Sequence, residues 1–198
     1  MSYCHLPNAS TIDRRYHDTE WGVPVHDDKR QFEFLTLEVM QCGLSWELML
    51  KKREIFRRAF ADFDFGTLAA YTDADIDRIM NIDGMIKSPR KANAVINNAR
   101  AFKKIREEYG SFSAYLWAYT NNKTLLYKGH ETGILPAKNA LSEKIGKDLK
   151  KRGFKYVGGV TIYSHMQACG IINDHDATCL RRKYIIDNYD CIAVEDDV

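Results

Sequence analysis

The chain has 198 residues, of which 45% are hydrophobic and 28% charged, and its formal net charge is +2. That length suits one domain with its own core, and that composition excludes a disordered chain. A charge so near zero excludes a bulk basic field as the argument for a nucleic-acid partner, which must come from local patches instead.

Met1-Ser2-Tyr3-Cys4-His5 has no basic region followed by an apolar core, so no secretory signal is read there. No apolar run approaches the roughly 20 residues of a membrane helix. The five cysteines are Cys4, Cys42, Cys169, Cys179 and Cys191. An odd count without an export signal argues against a disulfide framework. The expectation is a soluble, cytoplasmic protein with reduced thiols in the core or on a metal, and no membrane partner.

In chain order, residues 1–27 show no clear period and read as irregular. Helices are expected over about Asp28 to Gln41 and Trp46 to Phe60, and another starts at Thr72-Asp73-Ala74-Asp75. Ala92, Val95, Ile96, Ala99 and Phe102 form an apolar stripe at helical spacing, with Asn93, Asn97, Arg100 and Lys104 turned away from it. Ser88 can cap that helix, Pro89 fits its first turn and Gly110 follows its end. Further helices fit Phe112 to Tyr119, Ala140 to Lys151 and Gly159 to Cys169, with a loop over 120–137. After Tyr184 the chain is acidic, and residues from about 185 to 198 are expected to form a frayed tail. No period of two and no internal repeat is seen, so the fold class expected is all-α, with one domain over 1–198.

Four groups of residues can carry chemistry. Lys151-Arg152-Gly153-Phe154-Lys155-Tyr156-Val157-Gly158-Gly159 lies between two helical patterns. A glycine-bounded turn before a helix N-terminus can present backbone N–H groups to a phosphate. Glycines and lysines alone favour an ordinary helix connection. Cys4, His17, His175 and Cys179 make a full two-thiolate, two-imidazole set for tetrahedral zinc. His175 and Cys179 would share a face if their turn is helical. His5 and His26 are competing local ligands, and a loop thiol and a buried hydrophobe are the plainer readings of the cysteines. Glu38 is a carboxylate inside the apolar run Leu35-Thr36-Leu37-Glu38-Val39-Met40. Such a group must find a partner, titrate with a raised pKa, or lie on an exposed flank, and periodicity does not decide among these. Tyr16, Trp21 and Trp46 offer aromatic faces for a base, although core packing is the commoner use of any one aromatic.

Taken together, the motifs resemble the 3-methyladenine DNA glycosylase I family. The matching residues are Tyr16-His17-Asp18-Thr19-Glu20-Trp21-Gly22-Val23-Pro24, Leu37-Glu38, Gly43-Leu44-Ser45-Trp46 and Lys51-Lys52-Arg53-Glu54. They continue through Lys151 to Gly158, Met166-Gln167-Ala168-Cys169-Gly170 and Asn173-Asp174-His175. The resemblance runs from Cys4 to about Cys179. It implies an all-helical member of the helix-hairpin-helix glycosylase superfamily. It implies a structural zinc on Cys4, His17, His175 and Cys179 that joins the N- and C-terminal segments. It implies a base pocket of Tyr16, Glu38, Trp46 and Trp21, with Glu38 and Tyr16 in the catalytic role. Gly153, Lys155 and Gly158 would hold DNA.

The implied activity is hydrolysis of the N-glycosidic bond of 3-methyladenine in alkylated double-stranded DNA, by a monomer that releases free 3-methyladenine. Leu6 departs from the family, which carries a tryptophan near the base pocket. Asp174 is a second candidate for the chemical step, at about the place where many helix-hairpin-helix glycosylases carry a catalytic aspartate. Two other readings remain at this point: a non-enzymatic, zinc-stapled DNA-binding module, and a zinc hydrolase with an open coordination position.

Overall fold

The structure, a computed structural model, describes Cys4 and residues 9–195. His5, Leu6, Asp196 and Asp197 lie outside the described residues. Ten α-helices are described: α1 Thr11–Thr19, α2 Asp28–Gln41, α3 Trp46–Ala59, α4 Phe65–Ala69, α5 Asp73–Met80, α6 Pro89–Tyr109, α7 Phe112–Trp117, α8 Ala140–Lys151, α9 Gly159–Ala168 and α10 Leu180–Asn188. Two short strands, β1 Thr124–Tyr127 and β2 Cys191–Val194, complete a mostly helical fold. No helix among the described residues is long and apolar enough to cross a membrane.

Helix α2 runs through the centre. Every residue from Gln31 to Met40 is buried, so this helix presents no solvent face and its periodicity carries little information. Asp27 caps its start, and Lys91 Nζ donates to the Met40 and Cys42 carbonyls at its end, both at 2.7 Å. Around α2, aromatic rings join the other helices. Phe102 of α6 lies 5.2 Å from Phe32, stacks on Phe112 of α7 at 4.1 Å, and Phe112 reaches Phe154 beyond α8 at 6.2 Å. Helix α6 begins on Pro89 and ends on Gly110, whose φ of +83° only glycine adopts cheaply.

Three expectations need correction. The N-terminal 27 residues are not wholly irregular, because α1 occupies Thr11–Thr19. Only Tyr16 and His17 of α1 are buried, so it shows no apolar stripe; its sequence signal is the Ser10–Asp13 capping box. The expected loop over 120–137 contains β1, and the expected frayed tail contains the last turn of α10 and all of β2. These strands pair in parallel, Thr124 with Cys191 through Tyr127 with Val194. Four residues are too few to show a period of two, and the partner lies more than 60 positions away, so local pattern cannot reveal the pair. The fold is therefore mostly helical rather than all-α.

Candidate functional site

A cleft of about 470 Å³ opens where α1, the start of α3, the end of α9 and the segment after it converge. Tyr16, Trp21, Trp46, Gln167 and Asp174 are among its lining residues, as are the metal-type residues Cys4 and His17. Tyr16 is buried, with its ring 5.3 Å from Trp46 and 6.3 Å from Phe34. Burial and the neighbouring Glu38 carboxylate push its phenol well above the ordinary range, so it stays a neutral donor. Ser45 caps α3 and thereby fixes Trp46 at its first position. The buried Trp46 indole N–H has no hydrogen-bond partner among the described residues. An orphaned donor beside a cleft is a place for a polar partner.

Glu38 lies behind Tyr16, only 5% exposed. Among the described residues no hydrogen bond or ion pair reaches its carboxylate. Burial alone pushes its pKa up to about 8. The exposed-flank reading of Glu38 is thus excluded by the position of α2.

Asp174 is different. Its side chain is fully buried and accepts from His130 at 2.8 Å, Tyr163 at 2.7 Å and Gln167 at 2.8 Å. It belongs to a satisfied buried network whose His130 comes from the segment between β1 and α8, where no sequence motif pointed.

Cys4, His17, His175 and Cys179 come together from the two ends of the chain, all buried. His17 Nε2 and His175 Nδ1 are 3.2 Å apart, and the nitrogen–sulfur separations run from 3.3 to 3.6 Å. A tetrahedral zinc with bonds of about 2.0–2.1 Å to nitrogen and about 2.3 Å to sulfur requires edges of roughly 3.3–3.6 Å. The donor set fits.

So do its supports. The other His17 nitrogen meets Asp18 at 2.9 Å, the other His175 nitrogen donates to the Trp21 carbonyl at 3.1 Å, and the Asp176 amide donates to Cys4 Sγ at 3.2 Å. Burial drives the His175 pKa down to about 3, which keeps the imidazole neutral, as a ligand must be. The competing ligand His26 is elsewhere, packed on Trp117 at 4.5 Å. Because His17 adjoins Tyr16, and the Trp21 ring lies 4.5 Å from His175, this cluster forms one wall of the cleft.

The glycine-bounded turn joins α8 to α9. Gly153 has φ +93° and Tyr156 has φ +59°, a left-handed value rare for an aromatic residue. The turn is held by burial of Phe154 and Val157 and by two asparagines of α6. Asn98 accepts from the Lys155 amide at 2.7 Å and donates to the Lys155 carbonyl at 3.0 Å, while Asn97 donates to the Gly153 carbonyl at 2.7 Å. Lys155 and Gly153 are exposed, and Gly158 is the N-cap of α9. Neither asparagine was legible as part of this turn, since both are distant in sequence.

Solved DNA glycosylases share this mostly helical fold. A structure of 3-methyladenine DNA glycosylase I in complex with 3-methyladenine superposes with a TM-score of 0.87 at 35% identity, covering 92% of this chain and 98% of that one. A variant of 3-methyladenine DNA glycosylase I from Staphylococcus aureus matches with the same score, identity and coverage. The methyladenine glycosylase family model matches residues 7–182, and the chain belongs to that family. It is 41% identical to DNA-3-methyladenine glycosylase 1 of Escherichia coli K12, over 90% of this chain and 96% of that protein. It is 39% identical to DNA-3-methyladenine glycosylase of Haemophilus influenzae Rd, over 89% and 95%.

Proposed function

We propose that the chain is a single-domain DNA-repair glycosylase that hydrolyses the N-glycosidic bond of 3-methyladenine in double-stranded DNA and releases the free base. The observation that carries this reading is Glu38: a buried carboxylate with no hydrogen-bond or ion-pair partner among the described residues, behind an aromatic cleft. A module that only binds DNA has no use for such a group.

Methylation at N3 leaves the base cationic within DNA, so it is already a good leaving group. The nucleotide leaves the stack at a cost of about a few kcal/mol, less for a damaged base. The Gly43-Leu44-Ser45 turn projects Leu44, 39% exposed, between the Glu38 and Trp46 helices, where it suits the gap left in the duplex. In the cleft, Trp46 and Trp21 pack on the base, Tyr16 donates a hydrogen bond, and Glu38 accepts one from the adenine edge while its charge matches the cationic ring. The C1′–N9 bond then breaks. Its electron pair neutralises the base, water adds to C1′, and that water loses its proton to solvent.

The turn carrying Gly153, Lys155 and Gly158 grips a phosphate through the exposed Lys155 ammonium and the N-terminal end of α9, whose N-cap is Gly158. Cys4, His17, His175 and Cys179 hold a structural zinc. Four protein ligands leave no open position, which sets this reading apart from a zinc hydrolase. The ion would tie the chain ends and hold Tyr16 and Trp21 in place.

The test is release of 3-methyladenine from methylated duplex DNA by the wild type, Glu38→Ala and Glu38→Gln. Release by the wild type that is strongly reduced in both variants supports the reading. Tight DNA binding without release by the wild type would establish the non-enzymatic module.

A further inference from the structure

We propose that the N-terminal face of α6 is a second seat for the DNA backbone, between the base cleft and the α8–α9 turn. This inference rests on the DNA reading above. A groove of about 430 Å³ is lined by Arg90, Asn93, Ala94, Asn97, Lys155 and Tyr156. Arg90 and Asn93 are exposed, and among the described residues no hydrogen bond or ion pair reaches the Arg90 guanidinium, the Asn93 amide or the Lys155 ammonium.

Positions 90, 93 and 97 follow one another on one helix face. The stripe turned away from the core in sequence is therefore not only a solvated surface. It shares a groove with the turn that is to hold a phosphate.

The contacts of α6 place this face on the path the duplex must take. At one end Lys91 is bound to the Met40 and Cys42 carbonyls, directly before the Gly43-Leu44-Ser45 turn at the cleft. At the other end Asn97 and Asn98 hold Gly153 and Lys155. Lys91 to Asn98 rises about 10 Å along the helix. That corresponds to about three base-pair steps of duplex. A strand whose lesion enters the cleft, and which is gripped at the α8–α9 turn, has intervening phosphates to place over this span. The seat offers them one forked guanidinium and one ammonium, with neutral amides between and no reader for base edges. The occupant is therefore the phosphodiester backbone, bound without sequence preference.

The experiment measures binding of an undamaged duplex over a range of salt for the wild type, Arg90→Ala, Asn93→Lys and Lys155→Glu. Quenching of tryptophan fluorescence by free 3-methyladenine reports on the cleft in each. Arg90→Ala is expected to weaken duplex binding about two- to fivefold and to lower the salt slope by about 0.9, with binding of the free base unchanged. Asn93→Lys is expected to do the reverse, with tighter binding and a steeper slope. If Lys155→Glu weakens duplex binding but Arg90→Ala and Asn93→Lys leave affinity and slope as in the wild type, the second seat is wrong. If none of the three alters duplex binding, the DNA reading itself fails.

Discussion

Glu33 and Glu38 stand on the same buried helix, and among the described residues only Glu33 has cations on it. Arg53 and Arg57 reach one Glu33 oxygen at 2.8 and 2.9 Å, and Arg30 reaches the other at 2.5 Å. Glu20 bridges Arg30 and Arg53 from outside, so the network is closed. Burial acts to raise the Glu33 pKa, but the Arg53 and Arg30 guanidiniums outweigh it and hold the carboxyl below its ordinary range. Glu38 has the burial and none of the cations. Glu33 is a structural charge; in the proposed function, Glu38 is the group kept for a partner that arrives.

The first prediction follows from that contrast. An ordinary carboxyl titrates near 4.5 and Glu38 near 8, so across this window the folded state keeps a proton that the unfolded state has lost. The Glu38 contribution to stability therefore falls as pH rises, by up to about 1.4 kcal/mol per unit, and levels off above about 8. Glu38→Gln should remove this term. Urea denaturation should find the variant increasingly more stable than the wild type from pH 5 to pH 8. An unchanged difference across that range would mean that Glu38 is not desolvated.

A second prediction concerns the metal centre. Purified protein should carry one zinc, and cobalt in its place should show the absorption of a tetrahedral site with two thiolates. Stripping the metal at neutral pH should lower the unfolding temperature and expose the cleft edge near Tyr16 and Trp21 to proteolysis. His175→Ala should act likewise. Metal content near zero in protein purified without chelators refutes the assignment.

A third prediction tests the asparagine clamp. Asn98 is 1% exposed, and Asn98→Ala leaves the Lys155 amide and carbonyl without their partners. The cost should be about 1–3 kcal/mol of stability. Tyr156, no longer held in its left-handed conformation, should relax. Duplex binding should weaken at every sequence, with free-base binding unchanged. Fluorescence titration with both ligands separates these outcomes, and equal loss for both would show a global defect instead.

Much of this was legible in the sequence because the local signals were strong. Pro89 and Gly110 mark the bounds of α6, and the four metal-type residues are unusual in kind. The relation between two matching motifs was less visible. Glu20 in one and Arg53 in the other pair at 2.9 Å. What stayed hidden depends on distant contacts. The β1–β2 pair, the Asn97 and Asn98 clamp, and the His130–Asp174 bond each join segments tens of residues apart, and none leaves a local period. The α1 helix was missed for the opposite reason: only Tyr16 and His17 of it are buried, so its apolar pattern is thin.

The last prediction separates Asp174 from Glu38. Both are carboxylates near the cleft, and sequence alone left both as candidates for the chemical step. The Asp174 side chain is 0% exposed, and three donors already occupy its oxygens. Asp174→Asn puts an amide where His130, Tyr163 and Gln167 require acceptors. The change should cost about 2–4 kcal/mol of stability, as loss of a buried network does. Tyr163→Phe removes one of these donors and should cost less. At a temperature where both variants are folded and hold their metal, base release should stay within a few-fold of the wild type. Its pH dependence should also persist, rising toward pH 8 as Glu38 ionises and becomes an acceptor. Glu38→Gln should flatten that rise and cut the rate strongly. A folded, metal-loaded Asp174→Asn enzyme that loses release a hundredfold or more while binding free 3-methyladenine normally would move the chemical step to Asp174.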